Sequence, residues 1–261
     1  MLRKFDLAGG GSFTIDCNPM EHTSEWALNY YVENGQIPEP EVVNLMAKVV
    51  RPGDLVVDGG ANIGFFTLLL SRLVGEEGRV LSIEPGRNNI SRLNQNIGRN
   101  KAFNVTVFTR PLAATCDKAT FYVRQDAGSN SLAEGEGDPV EVETTTLDSI
   151  CYQPVPRLIK LDLEGAELSA LKGAHHLFER GHRPFITTEL NVEALQSMGA
   201  TVQDLRRYMR KWQYDVFALP EKGGLPILIP RATLIQPTRQ NTNVLFAPLD
   251  LVGRTWTEVQ I

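Results

Sequence analysis

The sequence has little cysteine: three in 261 residues, Cys17, Cys116 and Cys151, far apart and with no CxxC pair. Such spacing offers neither a disulfide framework nor a structural zinc site. Long apolar runs are also missing. None approaches the roughly 20 residues that span a bilayer, and the opening MLRKFDLAGGGSF lacks the apolar stretch of a signal peptide. The expectation is a cytoplasmic chain with no membrane partner. Basic excess is absent, since 26 Lys and Arg against 31 Asp and Glu leave a formal charge of −5. That balance gives no electrostatic footprint for nucleic acid, and Arg206, Arg207, Arg210 and Lys211 read as the wet side of a helix. No internal repeat is found.

What the chain does have is alternation. Residues 1–50 read as a short β pair around KFDLAGGGSFTID, then helical patterns in SEWALNYYVEN and EPEVVNLMAKVV. After RPGD, LVVD precedes IGFFTLLLSRLV, RVLSIEP precedes NNISRLNQNIGRN, and NVTVF precedes the irregular TRPLAATCDKATFYV. Further on, RLIKLDLE precedes GAELSALKGAHHLFERG, and PFITTEL precedes VEALQSMGATVQDLRRYMRKW. Short apolar strands separated by amphipathic helices predict an α/β fold with a doubly wound, mostly parallel Rossmann-like sheet. YDVFALP, LPILIP and TNVLFAP carry strand patterns with no helix between them, which predicts an antiparallel C-terminal edge. The organisation expected is an N-terminal β-hairpin and helical cap over 1–50 and one domain over 51–261. DAGSNSLAEGEGDP at 126–139 reads as an acidic, glycine-rich loop, and SNSL within it as a segment able to fold over a site.

The densest signal is VVDGGANIGFFT at 56–67, with VLSIEPGRNN at 80–89. In an open α/β sheet, ligands bind outside the carboxyl ends of the strands, so the turn after the first strand is where a cofactor lies. Gly59, Gly60 and Gly64 let the chain turn tightly and a ligand touch the main chain, and Asn62 tolerates positive φ. A dinucleotide fingerprint counted from Gly60 needs glycines at 62 and 65, where Asn62 and Phe65 stand. A nicotinamide-dependent oxidoreductase is disfavoured on that ground. Glu84 ends the second strand, where a carboxylate accepts hydrogen bonds from a ribose. Asp58 and Glu84 together suggest a nucleoside ligand without a pyrophosphate, and S-adenosylmethionine is such a molecule.

Several separated blocks resemble the FkbM-type family of S-adenosylmethionine-dependent methyltransferases. They are VVDGGANIGFFT, VLSIEPGRNN, PLAAT at 111–115, TTLDSI at 145–150, LIKLDLEGAELSALKGA at 158–174 and PFITTELN at 184–191. The resemblance implies a class I methyltransferase fold and O-methylation of a sugar, polyketide or other small hydroxylated metabolite. It carries Asp58, Gly60, Asn62, Gly64 and Glu84 over to cofactor binding, with Leu112 and Ala113 bordering the adenine. A base methyltransferase acting on nucleic acid is disfavoured, because DLEG stands where such enzymes have a proline-proline-aromatic stretch. A non-catalytic cofactor-binding protein of the same fold is the alternative, and homo-oligomerisation stays open.

KLDLEGAE places Lys160 and Asp162 in a strand expected to be buried on both faces, where charges need partners. Two apart, they share a face. Lys160 reads as a buried ion-pair partner, and Asp162, at the strand end, as a functional residue. Glu164 and Glu167 read as carboxylates of a helix's first turn. Glu189 and Asn191 end the next strand, so Asp162, Glu189 and Asn191 could bind an acceptor hydroxyl or form an oxygen-lined magnesium site. A general base assists an aliphatic hydroxyl in an in-line methyl transfer. The candidates are Asp162, Glu189 and His22, the last beside an aromatic helix with Trp26, Tyr30 and Tyr31 that could roof the acceptor. His175, His176 and His182 read as surface residues.

Overall fold

The computed structural model describes residues 2–7, 11–17, 28, 30–31, 33–124, 130–132, 137–151, 153–235 and 241–257. The N-terminal segment opens with the antiparallel pair β1 (Leu2–Asp6) and β2 (Ser12–Asp16), then α1 (Pro40–Val49). The helix expected over 24–34 lies largely outside the described residues, although Leu28, Tyr30, Tyr31 and Glu33 are helical. Alternation then begins with β3 (Leu55–Gly59), α2 (Phe65–Val74), β4 (Arg79–Ile83), α3 (Arg87–Arg99) and β5 (Val105–Phe108). A hairpin of β6 (Lys118–Val123) and β7 (Asp138–Glu143) follows, then the short α4 (Leu147–Ile150). The stretch expected to be irregular thus contains β6, in which Phe121 is buried while Lys118 and Thr120 are exposed.

The second half runs β8 (Leu158–Leu161), α5 (Glu167–Lys172), α6 (His175–Glu179), β9 (Phe185–Asn191), α7 (Val192–Ser197) and α8 (Val202–Lys211). It ends with β10 (Asp215–Ala218), β11 (Ile227–Leu228), β12 (Asn241–Ala247) and α9 (Leu249–Thr257), a helix the sequence reading did not place. The main sheet has the order β11-β10-β12-β9-β8-β3-β4-β5. β9, β8, β3, β4 and β5 are parallel, while β12 runs antiparallel between β9 and β10. The predicted doubly wound α/β sheet with an antiparallel C-terminal edge is therefore present. No helix among the described residues is long and apolar enough to cross a membrane.

Two apolar cores flank the sheet. On one side α1 and α2 bury Val42, Met46, Leu69 and Leu70, and Phe5, Phe13 and Phe65 stack the N-terminal strand pair onto α2. The other side collects Leu171, Phe178, Leu205 and Met209 from α5, α6 and α8. Burying both faces explains why the central strands read as continuous apolar runs. α3 is mostly polar, yet its Asn96 and Asn100 side chains accept from the backbone N–H groups of Asp16 and Thr14 at 2.9 and 2.8 Å, stitching it to β2. α8 begins with a capping box of Thr201 and Asp204. On its flank Arg206 departs from the wet-face reading: it is buried and donates to the carbonyls of Thr233 and Pro230. The loop after β11 supplies acceptors that a helix pattern alone does not reveal.

The position of the site depends on one crossing of the chain. Gly60 leaves β3 with φ 79°, and a Cβ there would lie 1.8 Å from the Asp162 carbonyl oxygen. Gly60→Ala is expected to cost roughly 2–4 kcal/mol, from positive φ plus a backbone clash. Gly199 also has positive φ, with nothing within 4 Å of an added Cβ, so Gly199→Ala should cost about 1 kcal/mol. Urea denaturation of both variants measures the difference; equal costs would contradict the close crossing.

Candidate active site

A cleft of about 580 Å³, counting its space open to solvent, lies beyond the carboxyl ends of β3, β4 and β8. Ile83, Pro85, Leu112, Phe121 and Leu132 give it apolar walls, while Asn62, Glu84, Asn89, Asp162 and Glu164 bring polar groups. Asn130, Ser131 and Leu132, from the glycine-rich stretch, line it too. Ser131 is fixed there: its hydroxyl donates to the Glu164 carbonyl at 2.7 Å, and its carbonyl accepts from Tyr122 N at 2.8 Å.

Glu84 organises the first half of the cleft. Its Oε2 accepts from the Asn62 N–H at 2.8 Å, and its Oε1 from Gly86 N–H at 2.8 Å and Asn89 Nδ2 at 3.3 Å. The turns after β3 and β4 are thus tied to one carboxylate, which retains acceptor capacity for a ligand. Burial pushes its pKa up to about 7 against those hydrogen bonds. Asn62 has φ 51°, the left-handed conformation its position suggested. Its buried Oδ1 has no protein partner, an acceptor on the cleft wall that a bound donor would satisfy.

The second half is ionic. In-register neighbours share a face of a sheet, and the pairs Asp58–Ser82, Asp58–Lys160, Lys160–Thr187 and Glu189–Asn243 lay a polar stripe across β4, β3, β8, β9 and β12. Thr67 of α2 covers one end, donating to Asp58 Oδ2 at 2.6 Å. Lys160 lies near the middle, its Nζ 3.2 Å from Asp162 Oδ2, 3.9 Å from Asp58 Oδ1 and 4.8 Å from the Phe66 ring centroid. Burial acts to lower the lysine pKa, but Asp162, Asp58 and Glu39 outweigh it and hold the ammonium charged. At the other end Asn243 donates to Glu39 Oε2 at 3.0 Å and Glu41 Oε1 at 2.9 Å.

Oxygens of Asp162, Glu164 and Glu189 all lie within 4.8 Å of one another. Crowding of like charge in a buried setting favours protonation. Glu189 is pushed up to about 9 by burial, then by Asp162, Glu164 and Glu39, and hydrogen-bonds Asp162. Burial and Asp162 likewise raise Glu164 to about 7, and burial raises Glu39 to about 7.

This arrangement coincides with a family profile: the methyltransferase FkbM domain matches residues 58–216, more than half of the chain. The chain belongs to the FkbM methyltransferase family. A search of curated protein sequences gives no match. Among solved structures, the FkbM chain is similar to a Streptococcus mutans protein in complex with SAH, at 12% identity, TM-score 0.48, over 82% of this chain and 99% of that one. It is also similar to a precorrin-6y C5,15-methyltransferase from Geobacter metallireducens, at 11% identity, TM-score 0.47, over 89% and 94%. A third is a SAM-dependent O-methyltransferase from Thermotoga maritima, at 14% identity, TM-score 0.45, over 94% and 77%.

The family's cofactor, S-adenosylmethionine, fits the cleft by donor type: an unpartnered amide oxygen at Asn62, a carboxylate at Glu84 and apolar walls for a base. Of the residues expected to bind it, Gly60, Asn62, Glu84 and Leu112 line the cleft. Three do not. Asp58 is fully buried, with Thr67 donating to its carboxylate and Lys160 beside it. Gly64 caps α2 where an added Cβ would meet Leu93 at 2.8 Å, and Ala113 pairs its N–H with the Thr145 carbonyl.

Asn191 is also diverted from the magnesium set read from the sequence: its Oδ1 caps α7 on Ala194 N–H, and its Nδ2 donates to Glu164. Glu164 takes its place. The sequence reading put Glu164 in a helix's first turn, but α5 starts at Glu167, and Glu164, with φ 50°, sits in the preceding turn on the cleft. Glu167 does stand in the first turn of α5, but its Oε1 accepts from Leu163 and Gly165 N–H in the turn before the helix and does not cap it. His22 and Trp26 lie outside the described residues. Glu39 and Asn243 were missed, since neither sits in a motif and only the folded sheet brings them to the acids.

The raised carboxyls have a consequence for stability. Glu189 keeps in the folded state a proton that the unfolded chain loses near its ordinary value of 4.5, and its folded value is about 9. Its contribution is therefore complete below the unfolded value and is lost as pH rises through the folded one. Thermal melts between pH about 5 and about 9 are expected to show a falling melting temperature, with a shallower fall in Glu189→Gln. Parallel profiles for the two proteins would contradict the proton held at Glu189.

Proposed function

We propose that this protein is an S-adenosylmethionine-dependent O-methyltransferase acting on a hydroxyl of a sugar or other small metabolite. The observation that carries the reading is Asp162, which lines the same cleft as Glu84 and Asn62 while its carboxylate is held by the charged Lys160. When bound, the cofactor supplies an electrophilic methyl group, and the chain's own task is to align an oxygen with it and remove a proton. Glu84 and Asn62 would hold the cofactor. Asp162 would accept the acceptor's proton, and Glu189, already protonated at neutral pH, would donate a hydrogen bond to Asp162 or to the acceptor. Alignment and exclusion of water carry most of such a displacement, and the Asn130–Leu132 segment over the cleft supports the second.

Asp162, Glu164 and Glu189 present the oxygen donors that magnesium favours. Lys160 already supplies a cation to Asp162 at 3.2 Å, so the proton-sharing reading is preferred and activity should survive chelation with EDTA. A non-catalytic cofactor-binding role predicts cofactor affinity without transfer to any acceptor in a broad hydroxylated panel.

Calorimetry with S-adenosylhomocysteine and transfer assays on that panel separate the two halves of the site. Glu84→Ala is expected to weaken S-adenosylhomocysteine binding by about 10-fold or more, as charge-assisted hydrogen bonds are lost. Asp162→Asn is expected to bind it within a few-fold of wild type while kcat falls by about 10²–10⁴, the range of general-base losses. Unchanged turnover in Asp162→Asn removes Asp162 from the base role.

A further inference from the structure

Lys160 is the one charged residue within the four-residue β8, and it faces groups from every element packed around it. Asp58 flanks it on β3, Thr187 on β9, and the Phe66 ring covers it from α2. Asp162, two residues on, accepts from its ammonium at 3.2 Å, and Glu39 from the N-terminal segment adds a longer-range attraction. The side chain is 4% exposed, whereas that of Asp162 is 30% exposed and reaches the cleft. An ammonium so enclosed has few directions in which to move, and a carboxylate bonded to it inherits that restriction.

We propose that Lys160 is a positioning residue for methyl transfer: pinned between Asp58 and the Phe66 ring, it aims the Asp162 carboxylate into the cleft. This rests on the reading of Asp162 as the base. Two geometric facts favour it over a purely structural ion pair. The longer of its two carboxylate contacts is to the fully buried Asp58, at 3.9 Å, and the shorter is to the half-exposed Asp162. Asp162 also has an adjacent competing partner in Glu189. Without the ammonium, the carboxylate's remaining hydrogen-bonding partner on this side is Glu189, away from the Asn62 and Glu84 half of the cleft. A displacement of about 1 Å in a reacting group costs on the order of 10²-fold in rate, so aim alone is enough to matter.

The test begins with crystal structures of S-adenosylhomocysteine complexes of wild type, Lys160→Met and Lys160→Arg. Lys160→Met is expected to show the Asp162 carboxylate displaced by about 1 Å or more toward Glu189, with the contacts of Glu84 to Asn62 and Gly86 unchanged. Lys160→Arg should return it toward the cleft. Because Lys160→Met leaves Asp58 buried without a cation, the paired variant Lys160→Met with Asp58→Asn provides the same comparison in a chain relieved of that charge. An Asp162 carboxylate that stays in place in either methionine variant overturns the proposal.

Kinetics with an acceptor found by the panel add a second readout. Lys160→Met is expected to lower kcat by about 10²-fold with S-adenosylhomocysteine affinity within about 3-fold of wild type. In an Asp162→Asn background the same change should cost little, because the two residues act as one unit. Full additivity overturns the proposal, as does a loss of cofactor affinity equal to the loss in kcat. If wild type methylates nothing in the panel, the base role of Asp162 fails, while the crystal structures still decide whether Lys160 places its carboxylate.

Discussion

The site depends on a contact between two turns that are far apart in the sequence. The backbone at Gly60, leaving β3, passes so close to the Asp162 carbonyl, leaving β8, that no side chain fits between them. Parallel pairing of β3 with β8 makes this contact possible, since both strands end at the same edge of the sheet. The cofactor turn and the acid turn are therefore one packed unit. Glu84 extends the unit to β4 by accepting from both Asn62 and Gly86. A ligand lying along the edge meets three strand ends held in fixed relation before it arrives, which is the kind of preorganisation that aligned displacement chemistry requires.

Across this frame runs a stripe of polar side chains in an otherwise apolar sheet. Ser82, Thr67, Asp58, Lys160, Asp162 and Glu189 would be costly to bury one by one, but as a connected set most of their groups have partners. One atom in the stripe stays unsatisfied, Asp58 Oδ1, with the Lys160 ammonium at 3.9 Å as its nearest charge. The acids outnumber the lysine, and burial together with like charge favours protonation, as at Glu189. Charge of both kinds is thus kept in the interior, at the margin where the sheet opens to the cleft.

Much of this was legible in the sequence because it is local. Strand and helix periodicity gave the parallel sheet, the spacing of Gly60, Asn62 and Phe65 argued against a dinucleotide, and Lys160 and Asp162, two apart in a strand, were readable as sharing a face. The cleft residues Asn62 and Glu84 follow from strand ends, and Leu112 from the resemblance to the family. What was not legible is tertiary. Asp58 sits at the strand end as foreseen, yet its side chain turns under α2, a direction set by Thr67. Asn191 was drawn from the acid group by the demand of α7 for a cap, and Glu164 entered it because α5 begins three residues later than its acidic first-turn pattern suggests. Glu39 and Asn243 are joined across 204 positions, and no periodicity carries that information.

The place of β12 has a bearing on how the molecule comes into being. This strand, residues 241–247, lies between β9 and β10 although it follows both in the chain. During synthesis β10 and β11 can pair with each other, but they join the main sheet only once β12 has followed and docked on β9. Asn243, the residue that grips Glu39 at the acid end, arrives with the same late strand. The cleft edge formed by β3, β4 and β8 can therefore take shape before the contacts of Asn243 to Glu39 and Glu41 are in place.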